Sequence, residues 1–308
     1  MIFTVILFVL VNLLITSSSS TYQIALGAYI AGAPGDPAKI DEFAKMVGAS
    51  PTLVMWYQDW VHEDEKDFNP ALMNTVTARG AVPVVTWEPW DATRGPSQPA
   101  YALRTIIAGN YDHYIQQWAH DARMWGHQMY LRFAHEMNGD WYPWSRGVNG
   151  NTPAEYVAAW RHVVDIFREE GATNVQWIWS PNILYDGDAS FTDLYPGDNY
   201  VDCVGLDGYN GGLALSHQWL SFDQVFSSSY ARLATLTSKP MMITETASAE
   251  AGGDKAAWIR QGLLDDLPSK FPRVRAVIWF NENKETDWRV NSSTQSLAAY
   301  REVVTTLK

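Results

Sequence analysis

Met129-Tyr-Leu-Arg-Phe-Ala-His-Glu136-Met-Asn-Gly-Asp-Trp-Tyr-Pro-Trp144 is an apolar run that ends in His135 and Glu136, then passes into a turn and three aromatics. Met129, Leu131, Phe133 and Ala134 are residues that a parallel strand covered on both faces uses, and Asn138-Gly139 supplies the turn directly after it. A carboxylate therefore sits where the strand leaves the core. Catalytic groups of (β/α)8 barrels project from the C-terminal strand ends, and Trp141, Tyr142 and Trp144 offer flat apolar faces of the kind sugar rings stack on. Taken alone, the segment reads equally well as a solvated loop glutamate beside core tryptophans.

A second stretch separates the two readings. Lys239-Pro-Met-Met-Ile-Thr-Glu245-Thr-Ala-Ser has the same grammar, a short apolar strand whose last side chain is a carboxylate, some three βα units further on. Glycosidic bond cleavage needs two such carboxyls, one protonated to expel the leaving oxygen and one ionised to attack the anomeric carbon or to activate water.

Arg132-Phe-Ala-His-Glu136-Met-Asn-Gly-Asp-Trp-Tyr-Pro-Trp144, with Ile243-Thr-Glu245 downstream, resembles glycoside hydrolase family 26, whose members are mainly endo-β-1,4-mannanases and include mixed-linkage β-glucanases and β-1,3-xylanases. The resemblance implies a retaining mechanism, with Glu136 as general acid/base and Glu245 as nucleophile, in a pair whose carboxyls stand about 5 to 5.5 Å apart. It also suggests Tyr209 as the donor that steadies Glu245. His135 is expected beside the acid at the floor of the sugar site, or else hydrogen-bonded within the wall without touching sugar. Trp141 and Trp144 belong to the motif. Trp279, ending a later strand, and Glu88 and Asn182 are further candidates for substrate contact, with any tryptophan outside the motif equally readable as core. Asp207 reads either as a hydrogen-bonding wall residue or as a structural partner of Arg132. The ending Asp140-Trp-Tyr-Pro-Trp144 is more similar to the mixed-linkage glucanase branch than to the Trp-Phe-Trp-Trp-like ending common in the mannanases. A mixed-linkage β-1,3-1,4-glucan is therefore the favoured substrate, ahead of β-1,4-mannan and β-1,3-xylan. A secreted carbohydrate-binding protein without turnover is the reading from another class, and it predicts a missing carboxylate; both are present.

The rest of the chain alternates short apolar strands with amphipathic helices, the βαβ pattern of a single-domain α/β (β/α)8 barrel over residues 21–308. Strands are expected at 24–29, 53–57, 82–88, 129–134, 175–180, 204–209, 240–245 and 274–280. Asn69-Pro70 opens one helix as cap and first-turn proline, and Thr152-Pro-Ala-Glu155 is a capping box ahead of a stripe of Tyr156, Trp160, Val163, Val164 and Phe167. The helix over 111–125 buries Tyr114, Ile115, Trp118, Ala122 and Trp125 and stops at Gly126.

Composition narrows the ligand. A net charge of −12 argues against nucleic acid and anionic polymers and is compatible with a neutral β-linked polysaccharide. Fifteen tryptophans suggest surplus stacking surfaces. Residues 2–15 are almost wholly apolar and pass into Ser17-Ser-Ser-Ser-Thr21, which reads as a secretory signal over 1–20, with an N-terminal anchor as the alternative. A secreted, extracellular monomer without a membrane association after cleavage is expected. Cys203 is the only cysteine and reads as a buried inert thiol. Glu63-Asp-Glu65-Lys-Asp67 reads as a solvated loop, with calcium as its minor alternative. No His-x-x-x-His pair, Cys/His cluster, phosphate loop or Gly-x-Ser-x-Gly elbow occurs, so no metal and no cofactor is expected. Asn291-Ser-Ser is the one glycosylation sequon.

Overall fold

The computed structural model describes residues 23–62, 66–185, 190–216 and 218–307. The leader read at 1–20 and the Glu63-Asp-Glu65 part of the acidic loop lie outside them. Eight parallel strands pair in chain order and close on themselves: β1 (Ala25–Ile30), β2 (Leu53–Asp59), β3 (Val82–Glu88), β4 (Met129–Phe133), β5 (Val175–Trp179), β6 (Cys203–Asn210), β7 (Met241–Ser248) and β8 (Val274–Asn281). Around them run α1 (Pro37–Val47), α2 (Pro70–Thr77), α3 (Leu103–Ile107), α4 (Asp112–Trp125), α5 (Pro153–Glu169), α6 (Gly212–Leu215), α7 (Phe222–Leu236), α8 (Lys255–Arg260), α9 (Leu267–Lys270) and α10 (Thr294–Thr306). This is the (β/α)8 barrel expected from the alternation, with a strand at each expected place, although β7 continues past Glu245 to Ser248 and so does not end on that carboxylate.

Local chemistry sets the helix ends. The Asn69 side chain accepts from the Ala71 amide at 3.0 Å, so α2 starts at Pro70. The capping box forms at Thr152 and Glu155, and α5 buries the whole expected stripe. In α4 the expected face is buried at Ile115, Trp118 and Ala122, while Tyr114 and Trp125 are only half-buried at its edges.

Two apolar layers result. The larger lies between sheet and helices and takes Trp87, Phe133 and Trp279 from the outward faces of the strands and Trp160 from α5. The smaller fills the lower barrel with Leu53, Met55, Val84, Ile178, Cys203, Met242, Ala276 and Ile278. Cys203 is buried there, its thiol pushed up by burial, as an inert cysteine should be. Above this inner layer the inward-facing positions become polar: Thr86, Arg132, Ser180, Asp207 and Thr244.

Strand period 2 sends neighbouring residues to opposite faces, yet Thr244 and Glu245 both reach the barrel interior. A bulge explains it. Leu206 pairs with Ile243 and Asp207 with Glu245, so Thr244 is an extra residue in β7. The inserted residue resets the alternation and lets two successive side chains face inward. Gly205 makes room for this arrangement, since a Cβ there would lie 2.5 Å from the Thr244 hydroxyl and 2.6 Å from that of Ser180. Gly205→Ala is therefore expected to lower stability by about 1–3 kcal/mol through overpacking. Exposed Gly95, with nothing near its missing Cβ, should tolerate alanine within about 0.5 kcal/mol. Denaturant unfolding of the two variants beside the parent measures the difference.

Candidate active site

Arg132 is the one cation at the floor of the mouth among the described residues, and it has no exposed surface. Its Nε donates to the Thr86 hydroxyl at 3.0 Å, Nη1 to Asp207 Oδ2 at 2.7 Å, and Nη2 to Glu245 Oε1. The open alternative at Asp207 is thereby resolved in favour of a partner of Arg132. Thr244 and Ser180 donate to Asp207 as well, at 2.7 and 3.1 Å. Burial pushes the Asp207 carboxyl up to about 7 against the pull of Arg132.

Glu245 has both oxygens engaged. Oε1 meets Arg132 and Oε2 accepts from the Tyr209 hydroxyl at 2.6 Å, the donor expected from the sequence. Burial and the facing Glu245 hold the Tyr209 phenol well above its ordinary value, so it remains a donor.

Glu136 reaches the same mouth by a different route. Ala134 and Glu136 both take left-handed backbone, at φ 44° and 50°. Neither is glycine, and each such residue costs on the order of 1–3 kcal/mol. The conformation delivers the adjacent His135 and Glu136 to one side where a regular strand would separate them. It is held by backbone bonds from Ala134 to Trp87 and from Glu136 to Ser180, at 3.1 and 2.7 Å. Glu136 Oε2 accepts from the Trp141 indole at 2.8 Å. Burial, then Asp207, then Glu245 hold its carboxyl well above the usual carboxylate range. At the mouth Glu136 is thus biased toward its protonated form, while Glu245 is paired with a guanidinium.

His135 is buried between them. Its Nε2 lies 3.1 Å from the Tyr142 hydroxyl and 3.9 Å from Glu245 Oε1, and Nδ1 lies 3.9 Å from Glu88 Oε1. Burial and Arg132 keep the ring neutral. Glu88 ends β3 at the mouth, accepts from the Trp90 indole at 3.3 Å, and is pushed by burial up to about 8. Asn182 is nearly buried, its backbone tied through both atoms of the Asn138 carboxamide at 2.9 Å.

Two tryptophans depart from the expectation. Trp279 has no exposed surface; it packs on Trp258 of α8 and Tyr300 of α10, outside the barrel, because its strand position faces the helices. Trp144 is also fully buried, stacked beneath Tyr142 at 4.4 Å with its indole donating to the His135 carbonyl at 2.6 Å. Neither offers a face to a ligand, and Trp144 instead supports the backbone before Glu136. Of the fifteen tryptophans Trp141, at 41%, is the most exposed, Trp90, Trp125 and Trp219 are half-buried, and the other eleven are buried, so most of the surplus fills the core rather than forming sugar platforms. Rings not singled out in the sequence line the mouth instead: Tyr29, Tyr57, Phe280 and Trp288. Arg132 had a legible signal, since a charge in an otherwise apolar parallel strand requires a buried carboxylate.

Two outcomes follow from these charges. Arg132→Met leaves Asp207 and Glu245 buried without their counter-ion and is expected to cost about 3–5 kcal/mol in denaturant unfolding. Glu88, with its raised native value, makes the folded chain the better proton binder. Its contribution is full below the ordinary carboxylate range and is lost as pH rises through about 8. Glu88→Gln should therefore gain stability relative to the parent on going from about pH 5 to about pH 9, read from unfolding midpoints at each. Glu136 and Asp207 titrate in the same direction, so the parent's decline is reduced and not abolished.

Comparison with known proteins places the chain in a family. Glycosyl hydrolase family 26 matches residues 110–270, just over half of the chain. Endoglucanase H of Acetivibrio thermocellus is 41% identical over 308 residues, 97% of this chain and 32% of that protein. Mannan endo-1,4-beta-mannosidase A and B of Caldalkalibacillus mannanilyticus is 41% identical over 85 residues, 26% of this chain and 16% of that protein. The chain thus spans about a third or less of the length of these relatives. The catalytic domain of a Bacillus sp. JAMB-750 endo-beta-1,4-mannanase shares the fold, with a TM-score of 0.72 at 22% identity over 92% of this chain and 86% of that one. A family match that runs from α4 through α9, and so includes both Glu136 and Glu245, means that this chain belongs to glycosyl hydrolase family 26.

Proposed function

We propose that the chain is a retaining endo-β-glucanase with Glu136 as general acid/base and Glu245 as nucleophile, acting on mixed-linkage β-1,3-1,4-glucan. The observation that carries the reading is the unequal state of two carboxyls at one mouth: Glu136 is biased toward its protonated form, while Glu245 is paired with Arg132 and Tyr209. Unequal environments are what divide acid from nucleophile in such pairs.

The steps follow from the contacts. Glu136 Oε2 accepts the Trp141 N–H, so the proton belongs on Oε1, free to pass to the glycosidic oxygen. Glu245 attacks the anomeric carbon, the bond to the leaving oxygen breaks, and that oxygen takes the Glu136 proton. The glycosyl ester removes the charge of Glu245, one of the causes that raise Glu136. Glu136, now a carboxylate, takes a proton from water as the water oxygen attacks the anomeric carbon and the ester bond to Glu245 breaks. Tyr209 and Arg132 keep Glu245 aimed throughout. Trp141 offers an exposed indole beside the acid for a sugar ring.

The glucan preference is favoured by the Endoglucanase H match at 41% identity over 97% of the chain, against mannosidase matches over 26 to 54% of it, and by the Asp140-Trp-Tyr-Pro-Trp144 ending. Glucose and mannose differ in one hydroxyl orientation, so one or two hydrogen bonds decide between them. A polymer is met outside the cell, in keeping with residues 1–20 as a secretory leader.

Reducing-end release from barley β-glucan, lichenan, galactomannan, laminarin, β-1,3-xylan and carboxymethylcellulose tests the reading, with Glu136→Gln and Glu245→Gln alongside. The expected result is activity on the mixed-linkage glucans, reduced in each variant by about a thousandfold or more. Activity on galactomannan would keep the mechanism and reverse the substrate; binding of a polymer without turnover would overturn the enzymatic assignment of this pair.

A further inference from the structure

The rim between β8 and β1 carries a polar pair that the catalytic steps do not use. Tyr29 is an inward-facing residue near the top of β1, and its hydroxyl donates to Glu282 Oε2 at 3.0 Å. Glu282 follows the last residue of β8, so it leans from one strand end across to the next. Both are half-buried, neither sealed in the core nor free in solvent. The Tyr29 ring stacks on Phe280 at 4.6 Å and meets Tyr57 edge-on at 5.1 Å.

These rings form a continuous arc. Tyr209, the partner of Glu245, lies 5.9 Å from Phe280, and Tyr57 lies 6.0 Å from His135 beside Glu136. The arc therefore joins the two catalytic glutamates around the β8–β1–β2 side of the mouth, with Tyr29 and Glu282 at its middle. The charge of Glu245 is felt at the Tyr29 phenol. A sugar ring next to the one held at Glu245 would, on this side, have an aromatic floor and one carboxylate at its edge. That combination is what a neutral pyranose with vicinal hydroxyls requires: apolar C–H faces on rings, and hydroxyl donors to an acceptor.

We propose that Tyr29 and Glu282 form a sugar subsite adjoining the catalytic one, in which the Glu282 carboxylate accepts hydroxyl hydrogens of a neutral pyranosyl unit and Tyr29 holds that carboxylate in place. The proposal rests on the catalytic assignment of Glu136 and Glu245, and it adds a determinant of chain-length and linkage preference.

The test is kcat/KM of the parent, Glu282→Gln and Tyr29→Phe on a ladder of mixed-linkage gluco-oligosaccharides and on an activated dinitrophenyl β-glucoside, which has no second ring to offer. A lost hydrogen bond to a charged group should lower kcat/KM on the longer substrates by between about tenfold and a hundredfold, mainly through KM. The aryl glucoside should be cleaved as by the parent, and Tyr29→Phe should show a smaller loss of the same kind. A loss equal on every substrate would assign the pair a structural role and overturn the proposal, as would unchanged kinetics throughout. Should the parent cleave none of them, calorimetric binding of the same ladder decides: weaker binding of the longer members by Glu282→Gln supports the subsite while the catalytic assignment fails, and unchanged or absent binding overturns it. Should galactomannan be the polymer cleaved, the ladder is one of manno-oligosaccharides.

Discussion

A guanidinium with no access to water has to be neutralised from within the barrel, and the mouth is organised around that requirement. Arg132 can do so only by drawing carboxylates from other strands, and its planar fork reaches Asp207 on β6 and Glu245 on β7 while Nε is taken by Thr86 on β3. Four strands are thereby registered at one level by a single side chain. The arrangement is expensive in desolvation and is tolerable because the remaining oxygens of both carboxylates are also bonded, by Ser180, Thr244 and Tyr209. Its electrostatic consequence falls on Glu136. With Asp207 and Glu245 near and the single cation shared between them, a further buried negative charge is disfavoured, and the proton stays on Glu136.

The second constraint is geometric. Regular strands deliver every other side chain to the barrel interior, whereas this chemistry uses adjacent residues, His135 with Glu136 and Thr244 with Glu245. The chain meets the demand in two ways, by an extra residue in β7 and by left-handed backbone at Ala134 and Glu136. The β4 departure follows the last strand residue, Phe133, where the ladder gives way to a loop, whereas the β7 bulge sits within the strand and pairing with β6 resumes after it as far as Ser248. Trp144 and Tyr156 help to hold the β4 departure, donating to the carbonyls of His135 and Ala134 at 2.6 and 3.0 Å.

Tryptophan use illustrates why side-chain type is an incomplete guide to role. Trp141 and Trp144 stand three residues apart in one loop, yet one is open beside Glu136 and the other lies under Tyr142. The loop path decides between them, and nothing in either residue's neighbourhood along the chain does. The same holds for Trp279 and Phe280, successive residues of β8. Strand parity turns Phe280 toward the mouth and Trp279 toward α8 and α10, and parity cannot be read in a strand that is apolar on both faces.

The sequence by itself determined the barrel, its eight strand positions, its helix caps and the pair Glu136 and Glu245, because these follow from periodicity, capping chemistry and the position of a charge at the end of an apolar run. It also carried the family, through the long motif ending at Trp144. Only the tertiary structure supplied the physical cause that holds a proton on Glu136, the partner that Asp207 takes, and the aromatics that face the cleft. Those properties depend on distances between residues from strands far apart in the chain, such as Arg132 and Glu245, and on a bulge and two strained backbone positions that leave no mark in composition.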